Sequence, residues 1–332
     1  MQYDILMPCF PILDVIIPME DEFPIHAGES KIAHRMTDEA GGPANIFFAA
    51  SRMGASVLPV GTVGSDAHGR FLLQAYAAEG IDISHLQIRS GYATPQALCI
   101  NTPSGRHAFI TMIHGAPPAD AGILRSALEQ ARSLALTGYL LASPDVGYSL
   151  LPLLRYAREL QRDIFFDPGP LIPGIPEPVL CEALAAATVL IVNDEEAALL
   201  TGGGSMEAMA SGLSQRTGGA VVIKAGARGC YTLHRGGARW HAGFSVPLVD
   251  TTGAGDSFMG AFMHGWLSGW GLETASILAN AAGAVKVSKP GSGRQVPTYR
   301  EVARLLRESG YTVPAVNDLA NRFISLALPE EN

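Results

Sequence analysis

The second half of this chain alternates between short apolar segments and longer amphipathic ones, and no other feature constrains its fold as strongly. Apolar runs at residues 134–137 and 188–192 are followed by helix-like segments at 146–161 and 194–200. A strand that returns parallel to its predecessor needs a crossover, so repeated β-α units predict a mostly parallel sheet covered by helices on both faces. The sequence therefore predicts an α/β, doubly wound fold, in which ligands bind beyond the carboxyl ends of the strands.

Two stretches in the first third do not follow this alternation. Residues 92–114 alternate apolar and polar side chains around a turn at Ser104-Gly105, a pattern typical of a β-hairpin. Together with residues 12–36, this hairpin predicts a small β-sheet lid within a single domain that spans residues 1–332. Hairpins of this kind often form dimers, so we expect a homodimer through the lid.

Composition narrows the class of protein. Of the 332 residues, 48% are hydrophobic and 16% charged, which indicates a compact globular chain and not a disordered one. The net charge of -8 argues against nucleic acid as a partner. The sequence has no run of about 18 apolar residues, so no membrane span is expected. The first residues also lack the basic region of a signal peptide. Four scattered cysteines without metal-ligand spacing indicate reduced thiols, so we expect a cytoplasmic protein.

The segment Asp250-Thr251-Thr252-Gly253-Ala254-Gly255-Asp256 carries the clearest chemical signal. Its glycines let the backbone turn sharply before a helix-compatible run, and the N–H groups at such a turn can bind an anion such as a phosphate. Asp256 would then lie where it can accept a proton from an attacking hydroxyl, which is what phosphoryl transfer requires. The plain alternative is a carboxylate that merely favours the helix start. The segment has neither the lysine of a P-loop nor the third glycine of a dinucleotide fingerprint.

This segment resembles the C-terminal signature of the ribokinase-like (PfkB) family of carbohydrate and nucleoside kinases. Gly41-Gly42-Pro43-Ala44-Asn45 and Ala49-Ala50-Ser51-Arg52-Met53-Gly54-Ala55 resemble the family's N-terminal signature, and residues 60–69 resemble the stretch that follows it. The resemblance implies a ribokinase-like fold and an ATP-dependent phosphotransferase that uses Mg2+ to phosphorylate a hydroxyl of a small sugar. Two alternatives stay open: a nucleoside kinase of the same fold and a non-catalytic sugar-binding protein.

The resemblance also assigns roles to individual residues. It implies that Asp256 is the catalytic base and that Gly253, Ala254 and Gly255 form an anion hole. It further implies that Asp14, Gly41, Gly42 and Asn45 bind substrate, although Asn45 also fits a helix N-cap. In the lid, Thr94 and Gln96 are candidate substrate contacts.

On the nucleotide side, the resemblance implies roles for Asn193, Glu196, Lys224, Gly226, Gly229 and Asn280. Glu196 would reach hydrated Mg2+, which takes few protein carboxylates. The alternative for Asn193 and Glu196 is an N-cap with an acidic first turn, and Asn280 also fits a buried amide bonded to the backbone. Asp250 and Thr252, with oxygens of the loop at 288–293, would hold potassium (K+).

One departure from the family pattern bears on the substrate. Many sugar kinases of the family carry Asp-x-Asn-x-Arg where this chain has Asp167, Gly169 and Leu171. Loss of the arginine weakens the case for an anionic substrate, and Arg89, Arg106 or His107 would have to supply the missing charge. The sequence therefore favours a neutral sugar. The C-terminal segment 310–332 has helix-like apolar spacing and is expected to dock on the body or on a neighbouring chain.

Overall fold

A computed structural model describes residues 1–22, 26, 29–104, 107–113, 120–235 and 237–311 of the chain. The side chains of Arg106 and His107, and the C-terminal segment beyond residue 311, lie outside the described residues. The strands are β1 (Tyr3–Pro8), β2 (Ile12–Pro18), β3 (Thr37–Gly41), β4 (Val57–Gly64), β5 (Leu86–Arg89), β6 (Gln96–Asn101), β7 (His107–Met112), β8 (Ala131–Thr137), β9 (Asp163–Asp167), β10 (Val189–Asn193), β11 (Ala220–Lys224), β12 (Gly229–His234) and β13 (Gly237–Ala242).

The large sheet confirms the predicted doubly wound architecture. Its nine strands run in the order β13-β12-β11-β10-β9-β8-β1-β4-β5, and the seven from β11 to β5 are parallel. The hairpin of β12 and β13 adds an antiparallel edge. The chain leaves β1 in one direction towards β4 and β5 and returns on its other side at β8. The topological switch point therefore lies between β1 and β8, where open α/β sheets bind their ligands.

Helices cover both faces of this sheet. They are α1 (Pro43–Met53), α2 (Ala67–Ala78), α3 (Ala121–Gln130), α4 (Gly138–Leu141), α5 (Pro144–Glu159), α6 (Glu177–Ala186), α7 (Asp194–Thr201), α8 (Met206–Arg216), α9 (Ala254–Leu267), α10 (Gly271–Val287) and α11 (Tyr299–Glu308). Two hydrophobic clusters, one on each side of the sheet, bury the apolar side chains of its central strands. None of the helices in the described ranges is long and apolar enough to cross a membrane.

The lid is a separate four-stranded sheet in the order β3-β2-β6-β7. Its hairpin of β6 and β7 lies within the predicted range 92–114, and β2 lies within 12–36. The strand β3, however, begins at Thr37, beyond the predicted boundary at 36. Its sequence, TDEAG, has no apolar alternation, so its strand conformation comes from antiparallel pairing with β2.

Two helices from distant parts of the chain, α1 and α9, meet at a glycine. A Cβ at Gly260 of α9 would lie 2.7 Å from the Cβ of Ala49 and 2.7 Å from the carbonyl oxygen of Ile46, both in α1. A side chain there would force the helices apart, because interiors are already close-packed. The glycine therefore permits the close approach that brings the start of α1 beside the start of α9.

Candidate active site

Two predicted site residues, Asn193 and Lys224, stand together with Asp167 at the carboxyl ends of adjacent parallel strands. Asp167 is the last residue of β9, Asn193 of β10 and Lys224 of β11, and Asn193 pairs in register with Lys224. The Lys224 ammonium donates to the Asp167 carboxylate at 2.9 Å, and both side chains are largely buried. A buried ion pair at this edge places a fixed positive charge where the fold binds ligands.

Residues 250–256, named here the anion turn, lead directly into α9. Gly253 adopts φ 73°, a left-handed conformation that disfavours other residues, and α9 begins at Ala254. The Ala254 amide donates to the Thr251 carbonyl at 3.1 Å, whereas those of Gly253 and Gly255 have no acceptor among the described residues. The unpaired amides and the positive end of the helix dipole make the turn suited to an anion.

The cation of Lys224 adjoins this turn. Its Nζ lies 3.4 Å from the position that a Cβ at Gly255 would take. A larger residue at Gly255 would therefore meet the ammonium, so the glycine lets backbone and cation approach the same space. An ammonium and free amides together favour the spreading negative charge of a phosphoryl group.

Asp256 lies in the first turn of α9 and is bound by Asn45 of α1, whose Nδ2 donates to its Oδ2 at 3.1 Å. Burial raises the pKa of Asp256 to about 6, because loss of water disfavours the charged form. The Asn45 hydrogen bond opposes this rise, Asp167 adds to it, and the ammonium groups of Lys224 and Lys286 oppose it. A carboxyl with a pKa of about 6 is ionised at neutral pH and is close in basicity to a general base.

Asp14 of β2 is 5% exposed and faces the same region. Burial raises its pKa to about 7; a hydrogen bond from Ser292 opposes the rise, and the charges of Asp256 and Glu39 add to it. The Ser292 hydroxyl donates to Asp14 Oδ2 at 3.1 Å. A Cβ at Gly41 would lie 1.9 Å from the Asp14 Cγ, so only glycine leaves room for this carboxyl. Gly41 therefore leaves space for the Asp14 carboxyl, which can accept hydrogen bonds from a substrate.

The turn at the start of α1 places Asn45 between two partners. Gly42 has φ 52°, and Asn45 is 3% exposed. The amide oxygen of Asn45 accepts from the Gly293 N–H at 2.8 Å, while its NH2 group donates to Asp256. Because both ends are engaged, the orientation of the amide is set by the network. The N-cap alternative does not apply, since Asn45 lies within α1 and Gly42 occupies the N-cap.

The segment 291–294 connects the lid, α1 and the anion turn, and its contacts with Asp14, Asn45 and Glu39 went unpredicted. The Gly291 N–H donates to Asp250 Oδ2 at 2.7 Å. Glu39 of β3, 6% exposed, accepts from the backbone N–H of Arg294 at 3.3 Å and from its guanidinium at 2.8 Å. No local motif marks these pairs, because Glu39 and Arg294 are 255 positions apart.

At the start of α7, Asn193 and Glu196 form a capping box. The Asn193 side chain accepts from the Glu196 N–H at 2.7 Å, and the Glu196 carboxylate accepts from the Asn193 N–H at 2.7 Å. The cap alternative is therefore realised, and one Glu196 oxygen stays outside the box. Burial and the charge of Asp167 raise the pKa of Glu196, whereas Lys224 opposes this rise. In the described part of the chain, no group of three or more acidic, His or Cys residues could hold a metal ion.

The remaining nucleotide-side residues lie around the β12–β13 hairpin. Asn280 is 7% exposed and donates from Nδ2 to the carbonyl oxygens of His241 and Ala242 at 3.1 and 3.3 Å. Gly229, at φ 96°, lies so close to His241 that a Cβ would be 2.1 Å from its carbonyl oxygen. Gly226, at φ 56°, begins a one-turn 3-10 helix after β11. The structure thus gives each of these three residues a structural role, and their roles in nucleotide binding stay predictions.

The two lid candidates are not placed beside Asp14. Thr94 is 1% exposed; its hydroxyl donates to Asp66 at 2.7 Å and accepts from the Gly64 N–H at 2.9 Å. Gln96 pairs with Leu13, so the strand pleat directs it to the face opposite Asp14. Their substrate contacts stay predictions. The residue paired with Asp14 on β6 is instead Ala97.

Comparisons with known proteins agree with this architecture. Residues 8–299 match the family described as pfkB family carbohydrate kinase. A ribokinase of Haemophilus influenzae is 28% identical over 273 residues, covering 80% of this chain and 86% of the relative. A 5-dehydro-2-deoxygluconokinase of Bacillus subtilis is 26% identical over 284 residues, with the same coverage of 80% and 86%.

A solved structure shares the fold. Arabidopsis thaliana ribokinase, complexed with ribose and ATP, superposes with a TM-score of 0.78 at 22% identity and covers 92% of this chain and 99% of its own. At that identity the likeness establishes the ribokinase fold alone. The family match spans most of the chain, including the anion turn and the start of α1. This chain therefore belongs to the pfkB family of carbohydrate kinases.

Proposed function

We propose that this kinase transfers the γ-phosphoryl group of ATP to a hydroxyl of a small neutral sugar, with Asp256 as the general base. The observation that carries the proposal is the position of Asp256 in the first turn of α9, next to the unpaired amides of Gly253 and Gly255. A base and an anion-binding turn in one helix start bring proton acceptance and phosphoryl stabilisation to the same place.

The reaction divides among these groups as follows. The sugar O–H bond breaks and its proton goes to Asp256, while the sugar oxygen forms a bond to the γ-phosphorus. The bond from that phosphorus to the bridging oxygen breaks, and ADP leaves with the electron pair. The amides of the anion turn and the Lys224 ammonium stabilise the negative charge that spreads over the transferring phosphoryl group. Asn45 orients Asp256 through its 3.1 Å hydrogen bond.

The residues present fit a hydrated Mg2+. Magnesium keeps several waters and is usually bound through substrate phosphates with one or two carboxylates. Glu196, at the carboxyl end of the sheet, has one oxygen outside its capping box and can accept hydrogen bonds from such waters. When bound, Mg2+ would neutralise charge on the β- and γ-phosphates. Residues 193–196 thus position the phosphate side of the site.

Charge around Asp14 favours a neutral sugar. Two nearby cations are already paired, Arg294 with Glu39 and Lys224 with Asp167. Leu171, which stands where many relatives carry arginine, offers no charge. The Asp14 carboxyl, which already accepts from Ser292, can accept further hydrogen bonds from sugar hydroxyls, whereas a sugar acid or phosphate would be repelled.

A nucleoside kinase is the second candidate, and Tyr139 is the observation that favours it. Tyr139 follows β8 and is 55% exposed. Partial burial of its side chain, together with the charges of Asp256 and Asp167, raises the pKa of its hydroxyl. An aromatic ring so close to the proposed base offers a stacking surface for a nucleobase. Tyr139→Ala would weaken the binding of a nucleoside much more than the binding of a free sugar. A sugar-binding protein without catalysis is the third candidate; it would have no use for Asp256.

The test measures ADP release with ATP and Mg2+ over neutral sugars, sugar acids, sugar phosphates and nucleosides. Asp256→Asn should lower kcat by roughly two to four orders of magnitude, because general-base catalysis contributes that much. Thermal shifts by sugar and ATP should persist in this variant. The matched control is Asp120→Asn, which replaces the N-cap of α3 with an equally good cap and should turn over normally.

Near-normal turnover by Asp256→Asn would remove the assigned base. ADP release that depends only on nucleosides would favour the second candidate, and ligand shifts without any ADP would favour a binding protein. A cytoplasmic location and a homodimer through the lid stay predictions alongside this proposal.

A further inference from the structure

Lys286, near the end of α10, is a lysine with no solvent exposure. Its Nζ donates to the backbone carbonyl of Lys289 at 3.2 Å. An ammonium removed from water is costly unless negative charges and acceptors compensate for the lost hydration. The reason for burying this lysine must therefore lie in its immediate surroundings.

The charged groups around Lys286 belong to the proposed site. Burial lowers its pKa, the carboxylates of Asp250 and Asp256 oppose that change, and the ammonium of Lys289 adds to it. Asp250 is the first residue of the anion turn, and its two oxygens accept from the N–H groups of Thr252, at 2.9 Å, and Gly291, at 2.7 Å. The cation of Lys286 thus lies close enough to the carboxylates of Asp250 and Asp256, at the two ends of the anion turn, to interact with both.

The family resemblance implied K+ in this place, held by Asp250, Thr252 and oxygens of the loop at 288–293. The residues present do not fit it well. The Lys289 carbonyl, a candidate ligand in that loop, already accepts from the Lys286 ammonium. A monovalent metal ion beside that ammonium would meet a like charge in a poorly screened interior. The buried Thr252 hydroxyl, which has no hydrogen-bond partner among the described residues, is a candidate ligand that would be free for a small cation if the ammonium were removed.

We infer that the side-chain ammonium of Lys286 takes the place of the monovalent cation, so that the chain carries its own positive charge next to the carboxylates of the anion turn. Lys286 is a positioning residue: it holds the loop after α10 through the Lys289 carbonyl and balances Asp250, which in turn is bonded to Thr252 and Gly291. Turnover should then be independent of K+. This inference rests on the proposed kinase function and names how that site is held.

The experiment compares wild type with Lys286→Met, which keeps the length of the side chain and removes its charge. ADP release is measured at constant ionic strength in tetramethylammonium, sodium, potassium and ammonium chlorides. We expect wild-type kcat to agree within about twofold across the four salts. Lys286→Met should lose at least about tenfold in tetramethylammonium and recover in potassium or ammonium. The vacated space would offer a small cation the Lys289 carbonyl, Asp250 and the Thr252 hydroxyl.

Lys289→Met is the matched control. Lys289 lies in the same loop but pairs with Glu301 at 2.9 Å, and its side chain is partly exposed. This variant should stay insensitive to the choice of cation. A lysine that only supports packing would give the opposite pattern: Lys286→Met would lose activity equally in every salt, and no cation would restore it.

A second readout is independent of catalysis. The Tm of Lys286→Met should rise in potassium relative to tetramethylammonium, because a ligand that binds only the folded state stabilises it, whereas the wild-type Tm should not. Strong activation of the wild type by K+ would overturn the inference even if the variant failed to fold. A folded variant that no cation rescues or stabilises would also overturn it. If no substrate yields ADP, the proposed function fails, while the melting data still decide the cation question.

Discussion

The acid limb of the pH–rate profile tests the electrostatics of the site most directly. Asp256 must be ionised to accept a proton, so kcat should rise with pH and level off above its pKa of about 6. Lys224 opposes the rise in this pKa, and its Nζ lies 3.4 Å from the position of a Cβ at Gly255. Lys224→Met should therefore raise the pKa of Asp256 and move the limb to higher pH.

The magnitude follows from Coulomb's law. Two unit charges about 6 Å apart at an effective dielectric constant of about 20 interact by about 3 kcal/mol, or roughly two pH units. Partial screening by solvent reduces this, so we expect a displacement of roughly one unit. Asp167→Asn should move the limb to lower pH, because it removes a negative charge that raises the pKa of Asp256. In the double variant the two displacements should largely cancel.

The assay is the initial rate of ADP release between about pH 5 and pH 9 at saturating sugar. Saturation matters because Asp14, with a pKa raised to about 7, also titrates in the free enzyme. The position of the limb is read separately from the plateau, since Lys224→Met also removes a proposed phosphate contact. A limb that stays in place in both single variants, or that moves to lower pH in Lys224→Met, would show that Asp256 is not the titrating group.

Three further predictions concern packing, the sugar side and the nucleotide side. Gly260→Ala should lower the free energy of unfolding in urea by about 1–3 kcal/mol, because the added Cβ would overpack the contact between α1 and α9. Gly283→Ala is the control, since a Cβ there would make ordinary contacts and should cause no such loss. Equal losses in the two variants would contradict the close approach of α1 and α9. Gly41→Ala should raise KM for the sugar at least about tenfold, because a Cβ at this position would displace the Asp14 carboxyl on β2. An unchanged KM would show that the sugar binds elsewhere. Asn193→Ala and Thr298→Ala each break a capping box and should each lower the free energy of unfolding in urea by about 1 kcal/mol. Only Asn193→Ala should also lower kcat. Equal kcat values in the two variants would show that Asn193 does not contribute to the nucleotide site.

Much of the fold was predictable because it depends on local patterns. Apolar runs between helix-like segments predicted the parallel strands, and the structure has them in β8 to β11. The glycines before Asp256 indicated a sharp turn into a helix, and Gly253 adopts the expected left-handed conformation. The spacing of Asn193 and Glu196 allowed a capping box, and it forms. Each of these features involves residues within one or two helical turns of each other.

The lid shows where local patterns were insufficient. Residues 37–41, TDEAG, gave no strand signal, yet β3 forms because β2 supplies its hydrogen-bond partners. Gln96 was chosen for its residue type and its place in the hairpin, but the pairing of β6 with β2 decides which face it occupies. Sheet register is a relation between distant segments, and a change of one residue would reverse the faces.

The amino-acid sequence by itself determined the α/β class, the family and the local geometry of the anion turn, because these depend on periodicity and on near neighbours. Only the tertiary structure decided how the site is held together. Asn45 meets Asp256 across 211 positions, Ser292 meets Asp14 across 278, and Lys286 is buried with its ammonium bonded to the Lys289 carbonyl. Burial and charge compensation depend on which distant groups are packed together, and that packing determines the pKa values of the carboxyls and the need for a cation.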